Sequence, residues 1–284
     1  MSCFRLPDRL CSELEGLMCR FWWSHGDAKK KICWLSWKRL CQPKSWGGMG
    51  FRGIRIFNTA LLAKQVWRLL HAKHSLFYKV FQAKFFPTGS ILDAKENARG
   101  SYAWSSILKA RQVVRDGLWW RVGDGTDIKV SGDSWLTEPY LSRLISPCPA
   151  PYHDLPVAAL IDPVNHVWLL QEIEPLLFPF EVEAIRLIPL SMMGAKDALT
   201  WHASQDGRFF VRSAYRLMVS VEVSSNPSSS SNEAMSSLWK KIWSLAATPK
   251  VRTFLWRACS EALPTKLNLC KRSVLLDPIC DQCR

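Results

Sequence analysis

Residues 57–86 read FNTALLAKQVWRLLHAKHSLFYKVFQAKFF and carry the strongest helical periodicity of the chain. Apolar residues recur there at three- and four-residue intervals, which is typical of an amphipathic helix that turns one stripe toward a core. Asn58 is a candidate N-cap of the first helix, and a second helix is predicted to begin near Ser75 and to end before Pro87. The apolar stripe comprises Leu61, Leu62, Val66, Leu69 and Leu70. This stretch predicts a fold built mainly from helices.

Further helices are predicted on both sides of this stretch. In residues 9–23 an apolar face recurs at helical spacing and comprises Leu10, Leu14, Leu17, Met18 and Phe21. The other predicted helical segments are 101–116, short pieces near 165–177 and 180–187, and three short helices after residue 237. Pro249 and Pro264 are expected to separate the last three, because proline cannot continue a helix.

Two segments predict β-hairpins. Within residues 118–131, the runs LWWRV and DIKV flank the turn sequence GDGT. After residue 197, the runs ALTWHA and RFFVR flank SQDG, and Ser213 is then predicted to cap a helix. The predicted fold class is α+β, mostly α-helical, with two or more β-hairpins.

Composition divides the chain into three segments. Residues 1–136 are predicted to form a basic helical region with the hairpin near 118–131. Residues 137–195 are rich in proline and acidic residues and are predicted to form a connector of modest order. Residues 196–284 are predicted to form a C-terminal domain, which contains a flexible serine-rich loop at 224–237.

Charge is unevenly distributed along the chain. Residues 1–120 hold 21 Lys and Arg against 7 Asp and Glu, residues 121–200 hold 5 against 11, and residues 201–284 hold 12 against 6. Basic segments around an acidic middle indicate a polyanionic partner such as nucleic acid, but an excess of solubilising charge explains the composition equally well. Most of the fifteen tryptophans are expected in the core, and a minority could stack on bases.

Composition also limits the location of the protein. No apolar run approaches the ~20 residues that span a bilayer, and acidic residues interrupt the N-terminal region, so we expect neither a transmembrane segment nor a signal peptide. The expected protein is intracellular, in the nucleus or the cytoplasm, with no membrane partner. Its ten cysteines are then expected to be reduced.

Cys280 and Cys283 form a C-x2-C pair, the spacing of the first half of a zinc site. A structural zinc ion takes four ligands, and neither Cys nor His follows this pair. Cys259 and Cys270 are conceivable further ligands, but their spacing of about three helical turns favours a shared core face. The N-terminal cysteines are predicted to be buried thiols on a helical face, namely Cys3, Cys11 and Cys19.

Long stretches of the chain resemble one family. SLWKKIWSLAATPKVRTFLWRACSEALPTKLNL followed by CDQC, and DALTWHASQDGRFFVRSAY before it, are similar to the reverse transcriptase zinc-binding domain of plant LINE-type (non-LTR) retrotransposons. FWWSHGDAKKKICWLSWKRLCQPKSWGGMGFRGIRIFNTALLAKQVWRLL and GLWWRVGDGTDIKV resemble the region just downstream of the polymerase domain in these elements. The resemblance covers nearly the whole chain, in the family's order.

The resemblance implies that 196–284 is a truncated zinc-binding domain. In the family a His and another Cys complete the site, so Cys280 and Cys283 are implied to be a partial metal site. Zinc, the cofactor of the parent family, is therefore not expected to be bound stably by this chain. MSCFRLP resembles an internal stretch of the family, so both ends are expected to be clipped, as in a pseudogene or an incomplete gene model. The upstream polymerase domain is an implied partner.

The leading hypothesis is a non-catalytic fragment that binds template RNA or target DNA through basic and aromatic residues. The sequence lacks the Y-x-D-D carboxylates with which reverse transcriptases hold two Mg²⁺ ions. The residues expected to neutralise phosphates are Lys29, Lys30, Lys31, Lys38, Arg39, Lys240, Lys241 and Arg252. Two alternatives stay open: a non-functional structural or interaction remnant, which an exposed apolar patch on 57–86 would favour, and an active reverse transcriptase.

Overall fold

A computed structural model describes residues 2–24, 32–95, 100–137, 142–147, 149, 152, 154–191, 193–224, 232–275, 277 and 279. The first helices are α1 (Asp8–Ser24), α2 (Trp37–Cys41), α3 (Ile54–His71), α4 (Leu76–Phe85), α5 (Tyr102–Lys109) and α6 (Arg111–Gly117). The later helices are α7 (Pro179–Arg186), α8 (Val211–Ser224), α9 (Asn232–Ser244), α10 (Pro249–Cys259) and α11 (Lys266–Lys271). Strands β1 (Leu118–Arg121) and β2 (Ala198–Trp201) pair antiparallel. The fold is α+β and mostly α-helical, as predicted.

The chain divides into two compact units. The terminal unit comprises Met1–Leu62 together with Met218–Arg284, and the central unit comprises Ala63–Leu217. This division differs from the three segments indicated by composition, because the two ends of the chain contribute to one unit.

The core of the terminal unit is built around tryptophan. Its buried residues are Cys19, Trp23, Leu40, Trp239, Ile242, Trp256 and Ala262. The indole of Trp256 donates a hydrogen bond to the carbonyl of Gly47 at 2.9 Å, across 209 residues of sequence. Gly47 has a φ of 79°, and a Cβ there would lie 2.7 Å from the ring of Trp239. A glycine is therefore needed where this turn meets the core.

The core of the central unit is mainly aliphatic, and much of it comes from the acidic stretch. Its buried residues are Val122, Ile128, Val130, Trp135, Leu136, Leu144, Val157, Leu160, Leu170, Ile173, Leu177, Val182, Ile185 and Ile188. The described residues between 144 and 188 thus contribute to a packed core, whereas the sequence predicted a connector of modest order. Helix α7 confirms the helical piece predicted near 180–187. The many prolines and the lack of helical periodicity concealed this core, because 3-10 turns at Val157–Leu160 and Glu174–Leu176 carry several of its residues.

Neither predicted hairpin is formed, since β1 pairs with β2 in the register Leu118↔Trp201 to Arg121↔Ala198. The GDGT segment is instead held by Asp197, whose carboxylate accepts hydrogen bonds from the backbone N–H groups that follow β1. These are the N–H groups of Gly123 (2.7 Å), Gly125 (2.9 Å) and Asp127 (2.9 Å). A turn signal predicts a reversal of the chain, but it does not determine the strand with which the chain pairs.

The two predicted helix caps are wrong, but one predicted helix start is confirmed. Helix α3 begins before Asn58, which is buried and whose side chain bonds the backbone of Leu6 and Phe4, each at 2.9 Å. Ser213 lies inside α8, where its hydroxyl accepts a 2.8 Å hydrogen bond from the indole of Trp201. Helix α4 begins after Ser75, as predicted, and the hydroxyl of Ser75 caps it by accepting from the N–H of residue 78.

The C-terminal helices largely match the prediction. Helices α9, α10 and α11 are three short helices separated near Pro249 and Pro264. Helix α9 begins at Asn232, so residues 232–237 are helical rather than part of a serine-rich loop. Residues 225–231 of that predicted loop lie outside the described residues. The predicted 101–116 helix is divided at Ala110 into α5 and α6.

Candidate nucleic-acid interface

Residues 28–92 contain thirteen Lys and Arg and no Asp or Glu. Ten of these basic residues lie in the described part of the chain. Nine have exposed side chains: Lys38, Lys44, Arg52, Arg55, Lys64, Arg68, Lys73, Lys79 and Lys84. These 65 residues thus contain no carboxylate and expose most of their described basic side chains to solvent. Such a distribution of charge favours a positive local potential.

Five of these cations lie on α3, on α4 and in the turn between them, within the central unit, and we call them the basic strip. The strip comprises Lys64, Arg68, Lys73, Lys79 and Lys84. The guanidinium of Arg68 lies 5.0 Å from the ring centre of Phe77, so it connects α3 to α4. In the described part of the chain, no carboxylate forms an ion pair with any member of the strip. Arg68 also donates to the side chain of Gln65 at 3.1 Å, so the four lysines are the members most available to an external anion.

The sequence prediction missed every residue of this strip. The predicted set favoured basic residues in the Trp-rich segment around Trp37 and in the C-terminal helices. The signal that indicates the strip is the absence of acid between Asp27 and Asp93, since helical lysines there have no carboxylate three or four residues away.

Several of the predicted contact residues are engaged within the terminal unit. Lys29, Lys30 and Lys31 lie outside the described residues. The ammonium of Lys38 lies 3.1 Å from a carboxylate oxygen of Glu222.

Arg39 and Arg252 likewise have intramolecular acceptors. Arg39 donates to the side chain of Gln42 at 2.7 Å, and Arg252 donates to the carbonyl of Trp243 at 3.3 Å. Lys240 and Lys241 are exposed on α9, and no ion pair joins either to another described residue. Of the five predicted residues that the structure describes, two are lysines without an ion pair and three have an intramolecular partner. All five lie in the terminal unit.

The tryptophans interleaved with the predicted lysines do not form a stacking platform. Trp34 and Trp37 pack against the core of the terminal unit, and Trp37 stacks on Phe51 with ring centres 5.2 Å apart. Of the fifteen tryptophans, Trp46 alone is exposed, at 36%. The expectation that most tryptophans lie in the core is confirmed.

The cysteines of the described residues do not assemble a metal site. Cys280 and Cys283 lie outside the described residues, and within these residues no three His, Cys, Asp or Glu side chains form a metal-binding group. Cys259 is exposed and Cys270 is half-buried. A zinc site built on the C-x2-C pair would need two further ligands that the described residues alone do not bring together.

The thiols of the N-terminal region are mostly inert. Cys11 and Cys19 are buried, as predicted, whereas Cys3 is exposed. Burial, together with the neighbouring Cys33, raises the pKa of Cys19 to about 11. Burial raises the pKa of Cys41 to about 12, with smaller contributions from Glu15 and Cys19. Such thiols are poor ligands and poor nucleophiles at neutral pH, because the thiolate is the reactive form.

None of the helices in the described ranges is both long and apolar enough to cross a membrane.

Comparison with known proteins gives three matches. Residues 209–284 match the family described as zinc-binding in reverse transcriptase. An uncharacterised mitochondrial protein of Arabidopsis thaliana is 42% identical over 139 residues, which cover 49% of this chain and 90% of the relative. A putative ribonuclease H protein of Arabidopsis thaliana is 32% identical over 289 residues, which cover 100% of this chain and 45% of the relative. This chain therefore spans less than half the length of that second relative. No solved structure matches.

Proposed function

Because this chain belongs to the plant retrotransposon-related proteins that contain the zinc-binding region of reverse transcriptase, we propose that it binds nucleic acid, either template RNA or target DNA, without catalysing a reaction. The observation that carries the proposal is the acid-free stretch 28–92 with its exposed basic strip. The strip would neutralise phosphates of the backbone and read little base sequence.

The strip concentrates positive charge in a short segment of the chain. Helices α3 and α4 and the turn between them present five cations over 21 residues, so we expect contacts with several phosphates of one strand. Lys240 and Lys241 provide a second pair of cations in the terminal unit, whereas Lys38 would have to leave Glu222 before it could bind phosphate. We therefore expect the strip to contribute more to affinity than the residues around Trp37.

The absence of catalysis is supported by the chemistry of the sequence. A polymerase holds two Mg²⁺ ions with paired carboxylates, and this chain contains no Asp-Asp dipeptide. Primer extension with the purified chain tests this: incorporation of nucleotides above background would contradict the proposal.

The family description names zinc, and this chain's Cys280 and Cys283 have the thiolate chemistry and spacing for it. Because they supply two of four ligands, we propose weak binding of zinc. Titration with Co²⁺ tests this through the absorption of Co²⁺–thiolate bonds. Tight stoichiometric binding would contradict it and would identify further ligands.

The binding proposal is tested by fluorescence anisotropy with labelled 20-nucleotide RNA, single-stranded DNA and duplex DNA at increasing KCl. The strip variant K64Q/K79Q/K84Q should bind more weakly and should lower the log–log salt slope by about 2, because each lysine–phosphate contact contributes about 0.7–0.9. The variant K240Q/K241Q measures the contribution of the terminal unit.

The matched control, K95Q/K109Q/K196Q, removes three other exposed lysines of the central unit. This variant has the same net charge as the strip variant, so a smaller effect on the slope shows that position, rather than total charge, determines binding. Equal losses in both variants, or an affinity that does not depend on salt, would overturn the assignment of the strip.

One observation favours a second candidate, an interaction remnant without retained binding. Helix α4 exposes Leu76 and Val80 beside the strip, and such apolar side chains in solvent are typical of a surface that packs on another chain. A chain that binds none of the three nucleic acids at low salt, yet remains folded, would support this candidate instead.

A further inference from the structure

Helix α1 is buried on the face opposite to its main apolar stripe. The residues that pack inward are Cys11, Cys19 and Trp23. The predicted apolar face, by contrast, is exposed along its length and comprises Leu10, Leu14, Leu17, Met18 and Phe21, with Leu17 at 55% and Phe21 at 75% exposure. Helix α1 therefore presents a second apolar face that the described part of the chain does not cover.

The spacing of this face is that of a coiled-coil seam. The intervals along this face are four, three and four residues, from Leu10 through Leu14 and Leu17 to Phe21. These are the intervals between successive d and a positions of a heptad repeat. A helix that only packs on its own domain has no need of a second seam with this spacing. We call these four residues the α1 seam.

An apolar groove continues the seam at its C-terminal end. It has a volume of about 410 Å³ and is lined by Leu17, Met18, Phe21, Trp22, Trp37 and Phe51. Its lining is almost entirely apolar, so a polar ligand would lose its hydration without compensation there. The groove suits an aliphatic side chain carried by a partner helix.

We propose that the α1 seam pairs antiparallel with the α1 seam of a second copy of this chain. In that arrangement the layers of the seam place Leu14 against Leu17 of the second copy, and Phe21 against Leu10 of the second copy. The groove beside Phe21 then receives Leu10, and the two ends of the interface are equivalent by the two-fold axis.

The charges beside the seam favour a second copy of this chain as the partner and an antiparallel orientation. Glu13 and Arg20 are seven residues apart on the same side of the seam. Antiparallel pairing exchanges the two ends of the helix, so it sets Glu13 of each copy beside Arg20 of the other. Glu13, which already pairs with Arg9 of its own helix at 2.9 Å, would then form an ion pair with a second cation in each copy. Parallel pairing would instead set Glu13 beside Met18 of the other copy and would form no ion pair there. The helix is thus complementary to itself in one orientation.

The dimer is expected to be weak. Helix α1 has 17 residues and a length of about 25 Å, so the seam alone buries less area than a permanent dimer interface. Because α1 is already held in the terminal unit, no helix has to be ordered on association. We expect dissociation constants in the range of roughly 10–100 µM.

The test is sedimentation equilibrium of the full chain, free of nucleic acid and kept under reducing agent so that exposed Cys3 and Cys259 cannot cross-link copies. The chain should change from monomer to dimer with concentration, and L17D should remain monomeric. The matched control is L267D, which places the same charge at an equally exposed leucine in the first turn of α11, outside the seam, and should dimerise like the unmodified chain. Circular dichroism checks that both variants are folded.

Charge exchange tests the direction of pairing. E13R and R20E should each weaken the dimer by about tenfold, because each change places like charges in contact twice, and the double variant E13R/R20E should restore the unmodified affinity. A chain that stays monomeric at every concentration would overturn the proposal, as would a dimer that persists in L17D. Failure of the double variant to recover would overturn the antiparallel geometry.

Discussion

The two units of this protein differ in the residue types that stabilise their cores. The terminal unit brings tryptophans from distant parts of the chain into one core, and the indole of Trp256 is fixed by a carbonyl 209 residues away. The central unit packs aliphatic residues and fixes its loops with buried or half-buried carboxylates, such as Glu181 and Asp197. The difference shows that the acidic residues of the middle segment are partly structural.

This difference changes the interpretation of the charge asymmetry. The acidic middle suggested a segment of low order between two basic regions, but several of its carboxylates accept backbone N–H groups inside the central unit. Glu181 accepts from Ile145 at 2.6 Å and from the hydroxyl of Ser146. A carboxylate used in this way stabilises the fold of the unit, so the acidic composition of the middle segment does not indicate low order.

The largest expected effect is in the terminal core. Replacement of Trp256 by Ala should destabilise the terminal unit by about 3–5 kcal/mol, because it leaves a cavity and removes the hydrogen bond to Gly47. Hydrogen exchange measured by mass spectrometry should show lost protection in peptides covering α9 and α10. The conservative variant W256F fills most of the cavity and should lose less.

Peptides from 157–188 serve as the internal reference for that experiment. Equal loss of protection there would mean that the two cores unfold together and would contradict the view that each unit is stabilised separately.

A smaller effect is expected from Glu181, which is fully buried. Glu181→Gln should cost about 3 kcal/mol in the free energy of unfolding at pH 7, because four donors around the carboxylate lose a charged acceptor. Urea denaturation followed by a probe in the central unit measures this. Glu183→Gln, two residues along the same helix and exposed, is the matched control and should change little.

The effect of Glu181 should also depend on pH. Burial pushes its pKa upward, but hydrogen bonds from Ser146 and from backbone N–H groups outweigh burial, so the pKa lies below its usual value. The stabilisation is therefore present above the pKa of the unfolded chain and is lost as pH falls through the folded pKa. The difference between the native chain and Glu181→Gln should shrink below about pH 4. A difference that grows in acid would contradict this charge state.

Alanine substitutions at two glycines of the same loop distinguish the cost of a steric clash from the cost of backbone strain. Gly47 and Gly50 both have a positive φ, but a Cβ at Gly47 would collide with Trp239, whereas one at Gly50 would meet only ordinary contacts. Gly47→Ala should cost about 2–3 kcal/mol and Gly50→Ala about 1 kcal/mol. Thermal unfolding of both variants measures the difference. Equal costs would show that the loop does not press against the core.

The smallest effect concerns reactivity rather than stability. With a pKa of about 12, only about one Cys41 thiol in ten thousand is ionised at pH 8, and Cys19 is similarly suppressed. Brief iodoacetamide treatment followed by mass spectrometry should label exposed Cys3 and Cys259 first. Cys19 and Cys41 should be labelled only after a denaturant is added. Early labelling of Cys41 would show that the terminal core opens readily.

The sequence alone was sufficient to predict the helices with strong apolar periodicity, namely α1, α3, α4 and the three helices of the C-terminal segment. It also determined the family, through motifs rich in tryptophan and cysteine. Local periodicity is sufficient for these features because an amphipathic helix satisfies its own hydrogen bonds and needs neighbours only for its apolar face.

Tertiary structure alone decided strand pairing, the roles of Asn58 and Ser213, and the aliphatic core of residues 144–188. It also decided which face of α1 is buried, and therefore that the apolar stripe of this helix is exposed. The physical reason is that these features depend on partners far apart in sequence. A hydroxyl, an amide or an apolar face takes whichever partner the packed chain presents, and local pattern does not contain that information.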